Sequence, residues 1–209
     1  MWEVVNAAAT KPFGFMPFYP GPGLGGHCIP VDPFYLSWKA RQSGFEARFI
    51  ELAGAVNGAM PHHVVSLIGE GLNAIRLPLN GSRVLLAGVA YKRNVDDIRE
   101  SPALDLLMLL KQQGAVLSYS DPHVPKLSGT TWHNGIDLEH VDLSRVPAGH
   151  YDCIVVVTDH SRFDYDQMQR AGKVVVDTRN AIPNAGPNVV RLGARRSATW
   201  LAAEPTLAV

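Results

Sequence analysis

The sequence lacks an excess of charge of either sign. Nineteen lysines and arginines balance nineteen aspartates and glutamates, so the 209 residues carry a formal net charge of zero. Without a basic excess there is no electrostatic footprint for nucleic acid or for an anionic membrane, and any bound anion must be held by a few local groups. Charged residues make up only 18% of the chain and hydrophobic residues 46%, which excludes disorder and coiled coil and suffices for one sizeable core or two small ones.

Long apolar runs and cysteine pairs are also absent. No segment approaches the roughly 18 apolar residues that a membrane span needs, and the N-terminus lacks the pattern of a secretory signal. The only cysteines, Cys28 and Cys153, form no Cys-x-x-Cys pair, and the histidines show no metal-ligand spacing. We therefore expect a reduced, cytoplasmic protein with neither a disulfide scaffold nor a metal site.

The first 80 residues are predicted to be helices around one unusual loop. Residues 11–30 are rich in glycine, proline and aromatics, and a loop this long in a compact domain is usually functional or disordered. Asp32 is predicted to cap a short helix that begins at Pro33 and runs to Ser43. The apolar pattern further predicts two helices over about 51–73, separated at Pro61.

From Gly81 onward the hydrophobic pattern becomes strand-like. The continuous apolar run over 83–90 predicts a strand buried on both faces, and Ser101-Pro102 predicts a capped helix that leads to a second strand over 115–120. Further elements are predicted as a helix near 165–170 and as strands over 152–157, 173–176 and 189–192. The sequence thus predicts an α/β fold in which a helical part precedes a small, doubly wound, mainly parallel Rossmann-like sheet. Such sheets bind ligands at the carboxyl ends of their strands.

The glycine-rich loop contains the first candidate chemistry. Gly21 to Gly26 spell G-x-G-x-x-G, but a dinucleotide fingerprint needs a preceding strand, and here prolines and aromatics precede it. Consecutive glycines instead let the backbone approach a ligand closely and present Cys28 to it. A cysteine just ahead of a helix is a candidate nucleophile, and a small buried hydrophobe is the alternative. Asp32, besides capping, is placed to hold a water or orient a polar group near the thiol. A cysteine hydrolase or redox protein is the competing interpretation.

Two long motifs then carry a resemblance. The segments Pro20-Gly-Pro-Gly-Leu-Gly-Gly-His-Cys-Ile-Pro-Val-Asp-Pro33 and Gly88-Val-Ala-Tyr-Lys-Arg-Asn-Val-Asp-Asp-Ile-Arg-Glu-Ser-Pro102 resemble the nucleotide-sugar 6-dehydrogenases, the family of UDP-glucose dehydrogenase. Their wording is most similar to the branch that oxidises UDP-N-acetylglucosamine or UDP-N-acetylmannosamine to the uronic acid. The resemblance implies a C-terminal portion of such an enzyme: a remnant of the central helical dimerisation domain with the cysteine loop in 1–79, a UDP-binding α/β domain in 80–193 and a tail in 194–209.

The resemblance also implies a role for individual residues. Cys28 would attack the aldehyde formed at C6 of the sugar, giving a thiohemiacetal, then a thioester that water hydrolyses, while two NAD are reduced. Asp32 would be the catalytic-site carboxylate. The substrate-binding positions would be Gly23, Gly25, Gly26, Lys92 and Lys11, although Lys11 lies one residue off the family's spacing. Arg99 and Arg179 are assigned to the cofactor, with the domain interface as the alternative for Arg99 and the substrate as the alternative for Arg179. Without the resemblance, ion pairs with Asp96, Asp97 or Asp177 are the alternative for the basic residues.

The same resemblance sets expectations for cofactor and partners. NAD is the expected cofactor, bound mainly by an N-terminal domain that this chain does not include. A homodimer or larger assembly is expected for the parent enzyme, with a UDP-sugar as substrate and neither nucleic acid nor membrane as partner. The alternative function is a catalytically incomplete module that binds a UDP-sugar or assembles with a partner, and the chain alone is expected to be inactive.

Overall fold

The apolar runs of the second half form a five-stranded parallel sheet. The computed structural model describes residues 1–127 and 136–194. The strands of this sheet are β1 (Arg83–Ala87), β2 (Val116–Ser120), β5 (Tyr151–Val156), β6 (Gly172–Asp177) and β7 (Val189–Arg191). They pair in the order β2-β1-β5-β6-β7, so that Leu86 lies opposite Tyr119 on one side and Val155 on the other. The predicted strands are therefore confirmed.

Helices cover both faces of the sheet. The helices are α1 (Trp2–Ala9), α2 (Asp32–Gln42), α3 (Arg48–Ala74), α4 (Pro102–Gln112) and α5 (Tyr165–Ala171). On one face, α3 and α4 pack against side chains such as Leu86 and Val155. On the other face, α5 and the short 3-10 helix Leu143–Arg145 pack against Leu85 and Ile154. Alternate residues of each strand thus enter two separate cores, and the predicted doubly wound α/β fold is confirmed.

A small antiparallel pair lies beside the sheet and was not predicted. Its strands are β3 (Lys126–Leu127) and β4 (Leu138–Glu139), two residues each. Strands this short carry no readable alternation of apolar and polar residues. Within the described part of the chain, no helix is long and apolar enough to cross a membrane. The predicted tail lies outside the described residues from 195 onward.

The start of α4 matches its sequence signal. The Ser101 side chain accepts a hydrogen bond from the Ala103 N–H, and Pro102 occupies the first helical turn. A hydroxyl cap combined with an N-terminal proline satisfies one free donor and removes another. The cap also sets the point where the loop after β1 ends.

Two predictions for the N-terminal part were wrong. The predicted break at Pro61 does not occur, because α3 continues through it as one helix of 27 residues. Proline removes one hydrogen bond, but Pro61 is itself buried and Val64 and Ile68 after it pack in the core against the sheet, which offsets the loss. Asp32 is not the cap: Val31 holds that position, and the Asp32 N–H already donates to the Cys28 carbonyl at 2.8 Å.

The N-terminal part keeps a large apolar surface. Seventeen of the eighteen large hydrophobic residues that are exposed in the described structure fall within residues 1–56. Helices α2 and α3 form a hairpin in which Gly54 faces the Phe34 ring, and Glu51 accepts hydrogen bonds from Ser37 and Arg41. Contiguous exposed apolar surface usually marks an interaction site.

Candidate functional site

The two motifs of the sequence meet in space at the carboxyl edge of the sheet. The Gly26 N–H donates a hydrogen bond of 3.0 Å to the Arg99 carbonyl, which joins the cysteine loop to the loop between β1 and α4. The second loop follows β1 directly, and ligands of such sheets bind at this edge. The juxtaposition brings Cys28 and Lys92 to the same side of the molecule although 64 residues separate them in the chain.

The three predicted glycines make this contact close. A Cβ on Gly25 would lie 2.6 Å from the Glu100 carbonyl oxygen, and one on Gly26 would lie 2.8 Å from the Tyr91 ring. Gly26 also has φ +92°, and a Cβ on Gly23 would lie 3.3 Å from Pro102. These glycines therefore allow the loop to pack against its own chain. A direct contact with the sugar stays a prediction.

Cys28 and Asp32 lie on the exposed turn that leads into α2. Both side chains belong to exposed residues, and the Cys28 carbonyl accepts the Val31 and Asp32 N–H groups. The turn fixes the two residues one above the other at the start of the helix. Their catalytic roles stay predictions.

Arg99 is held by a carboxylate within the same loop. Its guanidinium donates to Asp97, with a shortest distance of 2.7 Å, so the ion-pair alternative describes its contact. The hydrogen bond and charge of Asp97 raise the pKa of Arg99, with a smaller contribution from Cys28. Lys92, in the same loop, is exposed and lies 5.3 Å from the centre of the Tyr91 ring.

Arg179 projects from the end of β6 against the glycine-rich loop. Its Nε donates to the Val157 carbonyl at 2.7 Å, and its Nη1 touches Gly21 so closely that a Cβ there would overlap it. Burial lowers the pKa of this guanidinium, and it forms no ion pair with any residue that the structure describes. The charge of Asp159 opposes this effect of burial without forming an ion pair, and a half-buried cation with no direct carboxylate contact among the described residues is suited to an anionic ligand.

The turn after β1 does not fit a dinucleotide. In a dinucleotide-binding sheet the N–H groups of this turn meet a pyrophosphate. Here the Asp121 carboxylate, at the end of β2, accepts the N–H groups of Val89 at 2.7 Å and Ala90 at 3.2 Å. The N–H groups of this turn are therefore already bound to the protein's own carboxylate.

Asp121 is a residue of this edge that sequence analysis missed. Its Oδ1 accepts the N–H groups of His123 and Val124. His160 Nε2 lies 3.0 Å from Oδ2, the same oxygen that accepts from Val89 and Ala90. Burial acts to raise the pKa of Asp121, but the hydrogen bonds from His160, His123 and Val89 outweigh it and hold that pKa below its usual value. The available signal was the position of Asp121 and His160 just after two predicted strands, since parallel strands end at one edge.

Other candidate residues lie away from this edge. Lys11 is exposed, and its side chain forms no hydrogen bond or ion pair with the cysteine loop in the described part of the chain, so its role stays a prediction. Cys153 is fully buried in β5, where desolvation raises the pKa of its thiol.

A cavity of about 460 Å³ adjoins the cysteine loop between α2 and α3 and is lined by apolar side chains such as Leu24 and Ile29.

Comparison with protein-family models gives two matches that together cover both parts of the chain. Residues 85–184 match the UDP binding domain of the UDP-glucose/GDP-mannose dehydrogenase family. Residues 1–59 match the central domain of the same family. The two regions that meet at the candidate site thus match two domains of one family.

Curated relatives and solved structures agree with these matches. The NDP-N-acetyl-D-galactosaminuronic acid dehydrogenase of Ralstonia solanacearum is 35% identical over 186 residues, which is 86% of this chain and 40% of that protein. The UDP-N-acetyl-D-glucosamine 6-dehydrogenase of Pseudomonas aeruginosa is 34% identical, over 77% of this chain and 36% of that protein. A UDP-D-ManNAc dehydrogenase structure from Pyrococcus horikoshii is similar with a TM-score of 0.73 and 25% identity, over 91% of this chain and 43% of that one. The chain spans about 40% of the length of the first relatives it matches.

Proposed function

Because the chain belongs to the UDP-glucose/GDP-mannose dehydrogenase family, we propose that it supplies the catalytic cysteine and the UDP-sugar site of an NAD-dependent 6-dehydrogenase. The substrate is a UDP-N-acetylhexosamine, which is oxidised at C6 to the uronic acid. The observation that carries the proposal is the hydrogen bond between Gly26 and Arg99, which joins the Cys28 loop to the Lys92 loop. In this arrangement the sugar reaches the thiol while the nucleotide stays on the sheet.

The diphosphate is held by the cations at the carboxyl edge. Lys92 is exposed at the end of β1, and Arg179 lies unpaired among the described residues beside Gly21. A guanidinium presents several donors in a fixed plane, which matches phosphate oxygens, and a lysine adds a point charge. Arg179 is therefore assigned to the substrate rather than to the cofactor.

Cys28 performs the covalent chemistry. Its thiolate adds to the C6 aldehyde to form a thiohemiacetal, loss of hydride from that carbon gives a thioester, and water then releases the uronate and the thiol. A cysteine suits this sequence because it is a good nucleophile at neutral pH and also a good leaving group. Asp32, one helical turn away, orients the attacking water.

NAD, which accepts the hydride, is held chiefly outside the described residues. The reason is the Asp121 carboxylate, which takes the N–H groups of Val89 and Ala90 that a pyrophosphate would need. Arg99 is exposed beside the cysteine loop and is the cation of this chain that faces the cofactor. We assign the cysteine loop to the unit 1–79 and the UDP site to 80–193. A cytoplasmic location stays a prediction.

The second candidate function is a UDP-sugar-binding or assembly module without turnover. It is favoured by the filled β1 turn and by the apolar surface of residues 1–56, which offers a contact for a second copy of the chain. Formation of NADH by this chain with a UDP-N-acetylhexosamine and NAD would contradict it. Sedimentation analysis over a concentration series tests the dimer, and a monomer at all concentrations would contradict that assembly.

The first experiment is a thermal-melt series with UDP, UDP-N-acetylglucosamine, UDP-N-acetylmannosamine and NAD. A ligand that binds only the folded state raises the melting temperature. We expect a rise with each UDP compound and none with NAD. The Lys92→Ala and Arg179→Gln variants should weaken UDP binding about 10- to 100-fold, since each removes a charged hydrogen-bond donor.

The matched control is Lys39→Ala. Lys39 is an exposed lysine on α2 whose hydrogen bond goes to Gln42, away from the sheet. It should leave the UDP affinity unchanged while removing the same charge. Equal losses for Lys39→Ala and Lys92→Ala would show a nonspecific charge effect and refute the assigned site.

A further inference from the structure

His160, which lies outside the proposed catalytic machinery, forms a hydrogen bond with the loop that carries Lys92. Asn94, two residues after Lys92, has the left-handed φ of +60°. Its N–H donates to His160 Nδ1 at 3.0 Å, and its side-chain oxygen accepts from the N–H and the hydroxyl of Ser161, each at 3.0 Å. We call this group of contacts, formed by Asn94, His160 and Ser161, the loop clasp.

The contacts of His160 define its tautomer. Because Nδ1 accepts a backbone N–H, the ring proton lies on Nε2, which faces the Asp121 carboxylate at 3.0 Å. The ring is fully buried and packs against Phe163 and His123, with ring centres 5.4 and 5.0 Å away. His160 thus connects the carboxylate that fills the β1 turn to the loop that leaves it.

We propose that His160 is a positioning residue for nucleotide binding: through Nδ1 it holds residues 91–100 in the conformation that presents Lys92 and Arg99. This inference rests on the proposed function, because the ligand of that loop is taken to be the UDP part of the substrate. Asn94 is exposed, so the hydrogen bonds of the loop clasp are expected to open more readily than those of the buried sheet. A released loop binds the nucleotide less tightly in proportion to the time it spends in the bound conformation.

Two substitutions of His160 separate its two hydrogen bonds. In His160→Asn the side-chain oxygen takes the place of Nδ1, so the Asn94 contact is kept and the Asp121 contact is lost. In His160→Gln the amide nitrogen takes the place of Nε2, so the Asp121 contact is kept and the Asn94 contact is lost. Both variants are made in the full chain, and their melting temperatures are recorded alongside amide exchange of residues 91–100 and the dissociation constant for UDP.

We expect His160→Gln to speed amide exchange in 91–100 and to weaken UDP binding, each by about tenfold. His160→Asn should lower the melting temperature more, because it removes one of the three hydrogen bonds that the buried Asp121 Oδ2 accepts, yet keep the loop exchange close to that of the natural protein. Asn94→Gly removes the side-chain contacts of the clasp without strain at positive φ and should resemble His160→Gln in the loop.

If His160 has a purely structural role, the variant with the lower melting temperature should also show the faster loop exchange and the weaker UDP binding. That result, or natural exchange rates in both His160→Gln and Asn94→Gly, would overturn the proposal. Failure of the natural protein to bind UDP would instead refute the proposed function, and the exchange measurement would still decide whether the clasp exists.

Discussion

Substitution of Gly26 by alanine is the sharpest test of how the cysteine loop is held. Gly26 has φ +92°, and its new Cβ would lie 2.8, 3.0 and 3.3 Å from three atoms of the Tyr91 ring. A left-handed conformation costs an alanine about 1–2 kcal/mol. Overpacking against a ring costs a further amount of about 1–3 kcal/mol. The loop should therefore detach from the sheet.

Gly14→Ala is the matched control for this change. Gly14 has φ +73° and nothing within 4 Å of the Cβ position, so it carries the backbone cost without the clash. The difference between the two variants isolates the contact with Tyr91. It corresponds to about a 5- to 150-fold shift in the equilibrium between docked and detached loop.

Amide exchange of the peptide that spans 20–31 measures the detachment, because the Gly26 N–H is itself a donor to Arg99. Exchange there should accelerate in Gly26→Ala and stay natural in Gly14→Ala. Adding Tyr91→Leu should restore part of the protection, which a double-mutant cycle quantifies. Equal behaviour of the two alanine variants would refute the close-packing role of the glycine.

Three further outcomes are expected. The pKa of Asp121 is lowered on folding, so its contribution to stability is present above the unfolded value of about 3.9 and is lost as the pH falls through the folded value. The melting temperature should therefore fall less steeply with decreasing pH in Asp121→Asn than in the natural protein. The same dependence of melting temperature on pH in both proteins would contradict this. Gly54→Ala, whose Cβ would overlap a phenylalanine ring of α2, should lower the free energy of unfolding by about 1–3 kcal/mol. Gly58→Ala on the same helix, where no atom lies near the Cβ position, should raise that free energy by about 1 kcal/mol. Urea titration measures both changes, and changes of the same sign would contradict the packing. An uncharged alkylating reagent should modify the exposed Cys28 rapidly and the buried Cys153 only after denaturation, and two fast thiols in the folded protein would contradict the burial of β5.

Local chemistry explains which elements were predictable. The helix after Ser101 was predictable because a hydroxyl cap and a proline act within one turn. The central strands were predictable because a strand buried on both faces is a continuous apolar run, which is visible in the sequence. The break at Pro61 and the capping by Asp32 were wrong for two different reasons. At Pro61, packing against the rest of the fold outweighed the local preference, whereas at Asp32 a local turn, closed by its N–H on the Cys28 carbonyl, starts the helix one residue earlier.

The candidate site shows the same division. Its residue types can be read from the sequence, where a cysteine in a glycine-rich loop and basic residues after strands predict a nucleophile and an anion site. The hydrogen bond from Gly26 to Arg99 spans 73 residues, and no local pattern encodes it. The same holds for Asp121, whose short-range neighbours give no hint that it accepts N–H groups from the turn of another strand.

The sequence by itself therefore determined the α/β class, the strands, the capped helix α4 and the family to which Cys28 and Lys92 point, because these depend on periodicity and on motifs of adjacent residues. Only the tertiary structure decided which loops touch, which cation forms no ion pair with the described residues and what fills the β1 turn. The strand order places the ends of β1, β2, β5 and β6 side by side at one edge. Side chains far apart in the chain become neighbours there, and their burial and hydrogen bonds are properties of that edge rather than of any segment.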